Sequence, residues 1–330
     1  LAGANLGGER IDQREDRIDA AHLPFARTRD LAGWLGGMGA RIGARWLVGR
    51  SFALEGGVRA EGFWFHLQDA GAGSARAFRP ALLPRLSGTV FATEGLIVTA
   101  AYGRGVRPPE ARAMTGGRGD ADASSGYRGS AQPTISDGAD LGLRWRPTDM
   151  LELGAGGFAT VIAREQVFDH VAGVNLTRSA TRRLGLEADL SVRPHPWLSF
   201  RLDGTAVDAR FTGSGQSVPG APTLFGSFEA HLFHPGGWTG GVRAIALGPR
   251  PLAHGARGGS AFIADALLGH RGRWWDVSLS VENLAGTRWR EGEFNYASWF
   301  DRSQPRSEVP RLHYAAGPPR VIQLSVGVRR

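Results

Sequence analysis

The 330 residues contain no cysteine and no lysine. The first absence excludes disulfides and thiolate metal sites. The second makes all 39 basic residues arginine, which reflects codon usage in a GC-rich genome and says nothing of function. No run of 18 apolar residues occurs, so no segment can cross a bilayer as a helix. The chain opens on Leu1 without a Met, and its first residues carry no signal-peptide pattern. For an exported protein such a signal is expected upstream, either removed or lost with a missing portion. The net charge is +8. The arginines are dispersed, with no dense basic run and no nucleic-acid-binding signature, so nucleic acid is not an expected partner. What is abundant is glycine, at 49 residues. An apolar fraction of 42% lies outside the disordered range.

The dominant pattern is alternation. Leu198, Phe200, Leu202, Gly204 and Ala206 interleave with Ser199, Arg201, Asp203 and Thr205. Leu184, Leu186, Ala188, Leu190 and Val192 interleave with Gly185, Glu187, Asp189, Ser191 and Arg193. Trp275 to Glu282 and Val321 to Arg329 repeat the pattern. Side chains on a strand point alternately to its two faces, so each run predicts a strand with one apolar and one polar face. The runs reach about ten residues, the length that crosses a bilayer at a tilt. Full charges recur on the polar face, as a watery interior requires.

Connections alternate in length. Short ones are predicted at Trp46–Ser51, Thr93–Gly95, Pro147–Met150, Pro194–Trp197, Pro235–Gly237 and Arg271–Arg273. Long ones are predicted at Glu9–Arg29, Leu67–Arg79, Gly105–Asp137, Arg164–Ser179, Thr212–Ala221, Pro249–Gly259 and Thr287–Pro318. Short periplasmic turns and long outer loops are the habit of bacterial outer-membrane barrels. Trp46, Trp145, Trp197, Trp238, Trp274 and Trp275 fall at or beside the short turns, as a girdle at the membrane–water boundary would. These features predict a transmembrane antiparallel β-barrel of about 14 strands, from a stub at Leu1–Gly8 to a last strand at Val321–Arg329.

Several segments resemble the barrel of TonB-dependent outer-membrane receptors. They are Leu83-Pro84-Arg85-Leu86-Ser87 followed by Tyr102-Gly103-Arg104-Gly105-Val106-Arg107-Pro108-Pro109-Glu110-Ala111, then Thr181 to Glu187, Val218 to Pro222, and Val281-Glu282-Asn283-Leu284 with Arg290 to Ser298. Ala285 stands where the family usually has Phe. The resemblance runs from about Ala81 to the end. It implies that residues 1–330 are a C-terminal part of a 22-strand barrel, with the plug domain, the TonB-contacting box and about eight strands lying upstream. An open sheet of this size would leave two unpaired edges, so the isolated chain is expected to insert poorly into lipid.

The resemblance further implies bacterial outer-membrane uptake of a scarce ligand, such as a siderophore or other metal chelate, energised through TonB and the plug. The barrel then does no covalent chemistry and needs no cofactor. Lipid and lipopolysaccharide surround it. Two clusters are candidates for contact with ligand or plug. Arg104, Arg107 and Glu110 sit where a strand opens into a long loop; the alternative is a Pro108–Pro109 stiffened base with solvated charges. Trp289, Arg290, Glu291, Asn295 and Tyr296, with Trp299, occupy the last long loop, where aromatics and Arg can hold an anionic or planar ligand. The alternative is a loop packed on its neighbours or on lipopolysaccharide. Lumen-facing Arg144, Glu187, Arg201, Asp203 and Glu282 either meet a plug or pair across strands. A plugless porin-like channel and a structural or adhesive barrel are the competing functions.

Enzyme and metal signals are weak. His231 and His234 form an H-x-x-H, but i and i+3 on a strand face opposite ways. Arg118-Gly119-Asp120 is a chance tripeptide. Asp120 and Asp122 lack the Gly and Glu of a calcium loop, and no G-x-S-x-G occurs.

Overall fold

A computed structural model describes the whole chain except residues 20, 71–72, 110, 112–131, 170–173, 299–302, 304, 306, 308 and 329–330. The strands in chain order are β1 (Ala2–Ile18), β2 (Pro24–Val48), β3 (Phe52–Asp69), β4 (Gly73–Thr93), β5 (Leu96–Arg107), β6 (Thr134–Thr148), β7 (Leu151–Ile162), β8 (Gln166–Asp169), β9 (Val174–Thr177), β10 (Thr181–His195), β11 (Leu198–Phe211), β12 (Leu224–Phe233), β13 (Trp238–Leu247), β14 (Ala261–Arg271), β15 (Trp275–Glu282), β16 (Arg290–Tyr296), β17 (Arg311–Ala316) and β18 (Val321–Val328). Fourteen of them form one sheet in the order β1 to β7, β10 to β15, then β18. Strands β8–β9 and β16–β17 form two separate hairpins inside long connections. The strand count matches the sequence reading, and every predicted short connection is a tight turn between sheet neighbours.

Two predicted long connections are corrected. Glu9–Arg29 is mostly strand, since β1 runs to Ile18 and β2 starts at Pro24, paired from Ala2↔Ile42 to Ile18↔Pro24. The stub predicted at Leu1–Gly8 is thus a strand of 17 residues. Leu67–Arg79 shrinks likewise, with β3 reaching Asp69 and β4 starting at Gly73. The physical reason is that ladder hydrogen bonds do not depend on lipid. Strands continue past the bilayer, and there the alternation carries charge on the outward face too, which reads as loop.

The chain divides into two compact units: residues 1–88, 101–139 and 160–182, and residues 89–100, 140–159 and 183–330. In the second, register aligns the apolar rows. Leu202 opposes Phe228, Phe228 opposes Ala244, Leu268 opposes Leu279, and Leu279 opposes Leu324. These rows are open: Leu202 is 51% exposed and Leu324 66%. The apolar face is therefore a surface and not a sealed core, as lipid contact requires.

In the first unit the same face carries two aromatic levels. Trp46 stands at the short-turn end of β2, opposite Leu54, and Trp34 opposite His66. Twelve residues between them span about 40 Å along the strand, or about 30 Å of height at a barrel tilt of roughly 40°. That is close to the hydrocarbon thickness of ~30 Å. Close packing on this face depends on glycine at one level. Gly36 lies opposite Trp64, whose indole occupies the space a Cβ on residue 36 would need.

Candidate functional site

The polar face of the second unit is an ion-paired wall. Arg144 Nη1 lies 3.0 Å from Glu152 Oε1 across β6–β7. Arg201 donates to Asp203 at 3.0 Å, and Ser227 Oγ donates to the same carboxylate at 3.2 Å. Glu229 takes Arg243 at 3.8 Å and His231 at 3.5 Å. Arg144 therefore pairs across strands with Glu152, whereas Arg201 and Asp203 pair along one strand, β11, and not across strands as one of the two sequence readings has it. The pairs are exposed and screened by solvent, so they add little to stability. Their effect is to keep a polar, charge-balanced interior.

The first predicted cluster is split. Arg104 binds Asp137 through two hydrogen bonds, Nε to Oδ1 at 2.9 Å and Nη2 to Oδ2 at 3.1 Å, and Tyr102 donates its hydroxyl to Oδ1 at 2.6 Å. Asp137 shares its side of β6 with Leu141 and Trp145, which are 59% and 46% exposed. Arg104 thus stands on the apolar, outward face. Arg107, three residues on, falls on the inward face by alternation. Glu110, Trp299 and the 118–122 segment lie outside the described residues.

The second cluster is brought together as a folded hairpin. Strands β16 and β17 pair from Arg290↔Ala316 to Tyr296↔Arg311. Tyr296 stacks on His313 at 3.9 Å between ring centres, and His313 Nε2 meets Ser298 Oγ at 2.9 Å. The Arg290 guanidinium lies 4.5 Å from the Tyr314 ring centre. Asn295 Nδ2 donates to the Ala253 carbonyl at 2.9 Å, which docks β16 on the one-turn 3-10 helix at Ala253–Gly255. Trp289 covers Gly317. Glu291 contributes its carbonyl, which accepts from Arg250 Nη2 at 3.4 Å.

Sequence reasoning missed the centre of this hairpin. Glu293 is 4% exposed. Its carboxylate accepts from the Gly259 backbone N–H at 2.8 Å, from Arg290 Nη1 at 3.0 Å and from Arg250 Nη2 at 3.4 Å. Arg250 comes from the preceding long connection, and nothing local in the sequence links it to Glu293. Asn283 was visible only as a motif letter. Its φ is +50°, a left-handed conformation that Asn tolerates, and its side chain ties Thr287 to Pro318. His231 and His234 go separate ways, the first to Glu229 and the second accepting from Gly236 N–H at 3.1 Å. Among the described residues no group of three or more His, Asp or Glu is placed to hold a metal ion.

An antiparallel sheet with an open apolar face, an ion-paired polar face, tight turns at one end and packed loops at the other defines a transmembrane β-barrel protein. A family model described as "TonB dependent receptor-like, beta-barrel" matches residues 39–284. The chain belongs to that family. Among solved structures, the ferric yersiniabactin uptake receptor FyuA from Yersinia pestis is similar at 17% identity and a TM-score of 0.73, over 98% of this chain and 50% of that one. The ferric citrate transporter FecA in its unliganded form is similar at 16% identity and 0.72, over 98% and 50%. The ferric-catecholate import receptor Fiu from E. coli, in its closed form, follows at 18% and 0.70, over 98% and 52%. The chain therefore spans about half the length of these receptors. No functionally curated protein matches its sequence.

Proposed function

We propose that this chain forms a large part of the barrel of an outer-membrane receptor that imports a metal chelate of the siderophore type, driven through TonB acting on a plug domain. One observation carries the reading. The last long connection is a built surface, with Arg290 held over Tyr314 and Trp289 seated on Gly317 around the buried Glu293. Cation and aromatic faces together suit an anionic, partly planar ligand. The printed functions of the similar receptors, which carry ferric yersiniabactin, ferric citrate and ferric catecholates, agree with that class. The barrel's part is to hold the loops and to present a charge-balanced inner wall. In the complete barrel, closure of the strand ladder would satisfy the backbone polar groups in lipid.

The test is uptake. The full-length gene product is expressed in an E. coli strain lacking its own ferric-chelate receptors, and ⁵⁵Fe is supplied as ferric citrate, ferric yersiniabactin or a ferric catecholate. Accumulation of at least one chelate is expected, and its loss on deleting TonB. No accumulation of any, or accumulation indifferent to TonB, sinks the proposal. A steady ion conductance in planar bilayers would instead indicate a plugless channel.

A further inference from the structure

The deepest apolar burial among the described residues lies at the outer ends of β2 and β3. Leu31 and Leu67 are fully covered and Phe65 is 3% exposed. Register sets their direction. Gly33↔Leu67 and Leu35↔Phe65 continue the row that lower down holds Arg41↔Arg59 and Arg45↔Glu55, which is the inward, polar face. The opposite face at this height carries Arg10, Asp12 and Arg14 on β1, all exposed. Above the Trp34 level the inward face thus gains a cluster of covered apolar side chains, set beside the buried Arg29 and Asp69, while exposed charges stand outside. Apolar surface left facing a watery interior is unfavourable in proportion to its area, so such a pad persists where something covers it.

Part of that cover is Ala111. It is buried and packs into one cluster with Leu31, Phe65 and Leu67. Pro109, two residues earlier, is buried as well. Ala111 follows β5, and β4 stands between β5 and β3 in the sheet, so the chain crosses β4 to reach the pad. At the crossing β4 presents Ala75 and Ala77, both packed against the same cluster. Small side chains there leave room for the crossing segment.

We infer that the buried Pro109 and Ala111 anchor the chain that leaves β5 against the inner wall and so set where Arg107 stands. Pro108 and Pro109 lock two φ angles between the last strand residue and the anchor. Loosening the pad is therefore expected to change the exposure of Arg107. Leu31, Leu67 and Ala111 are positioning residues in this arrangement, and Arg107 is the group positioned. The anchor does not rest on the proposed ligand class.

These 330 residues contain no cysteine, so an introduced residue is the only thiol in this part of the barrel. In the full-length product on intact cells, Ala111→Cys is expected to react with a sulfonated, membrane-impermeant maleimide at least tenfold more slowly than Ser74→Cys, an exposed site at the outer end of β4. Adding Leu67→Asp, or the milder Phe65→Ala, should raise the Ala111→Cys rate at least fivefold. It should also shift the rate of Arg107→Cys at least threefold. The pair Ala111→Cys and Leu67→Cys should cross-link under mild oxidant, seen as protection from thiol alkylation on a gel. Heat-modifiable migration checks that each variant is folded. An Ala111→Cys that reacts as fast as Ser74→Cys, an absent cross-link, or an Arg107→Cys rate indifferent to the pad variants overturns the inference. Uptake of ferric chelate can fail in the same cells without touching these outcomes.

Discussion

The side-chain amide of Asn283 donates to the carbonyl of Pro318 at 3.2 Å, joining the two ends of the last long connection. The same nitrogen donates to the Thr287 carbonyl at 2.9 Å, and the side-chain oxygen accepts from Thr287 N–H at 2.9 Å. Asn283 is 3% exposed, so its partners have no ready access to replacement water.

Asn283→Ala leaves those backbone groups unsatisfied, at about 1–3 kcal/mol. Asn283→Asp removes both donated bonds and sets a carboxylate beside the oxygen of Asp265 that accepts from its own backbone N–H at 2.8 Å. Both substitutions should lower the temperature at which the heat-modifiable gel band converts, Asp at least as much as Ala. An unchanged conversion temperature for both would contradict the role of this residue.

Glu293 and Arg290 form an asymmetric pair. The Glu293 side chain is 1% exposed and that of Arg290 44%. Glu293→Ala strips the partly buried Arg250 of its carboxylate, at about 3–5 kcal/mol. Arg290→Ala removes an exposed partner, at about 1 kcal/mol or less. Limited proteolysis of the β16–β17 connection should therefore accelerate strongly for the first variant and little for the second. Equal acceleration would argue against a buried hub.

Opposite faces of β18 should respond oppositely to charge. Leu324 stands opposite Leu279, four residues from the girdle residue Trp275 and so about 10 Å above it at the usual rise and tilt. Leu324→Arg places a cation in lipid near the midplane, costing roughly 2–4 kcal/mol. Ser325→Arg points into the interior and should cost little. Refolding yield into bilayers separates the two, and similar yields would sink the assignment of faces.

Gly36 and Trp64 test the packing of the outward face. Gly36→Val forces the indole from its place and should cost about 1–3 kcal/mol. Adding Trp64→Ala to that variant should recover part of the loss. If the double variant melts lower than Gly36→Val alone, the indole does not clash with residue 36.

Much of this fold was legible in the sequence because its causes are local. Side chains alternate on a strand whatever surrounds it. Short turns and Trp residues mark one membrane boundary without any long-range information, and all six short connections fell where predicted. The outer boundary was less legible. Above the bilayer both faces of β1 to β3 can be polar, so Glu9–Arg29 resembled a loop while its backbone continued the ladder.

The sequence by itself determined the strand grammar, the polarity of the two faces at membrane depth and the family. Only the tertiary structure decided which side chains meet. Arg104 and Arg107 are neighbours in sequence, yet pleating sends them to opposite faces and gives Arg104 to Asp137. Arg250 and Glu293 are 43 residues apart and share a hydrogen bond, and Ala111 closes on Leu31 and Leu67 from the far side of β4. Alternation is a property of each backbone alone, whereas these contacts depend on how separate connections fold over the sheet, which no local period records.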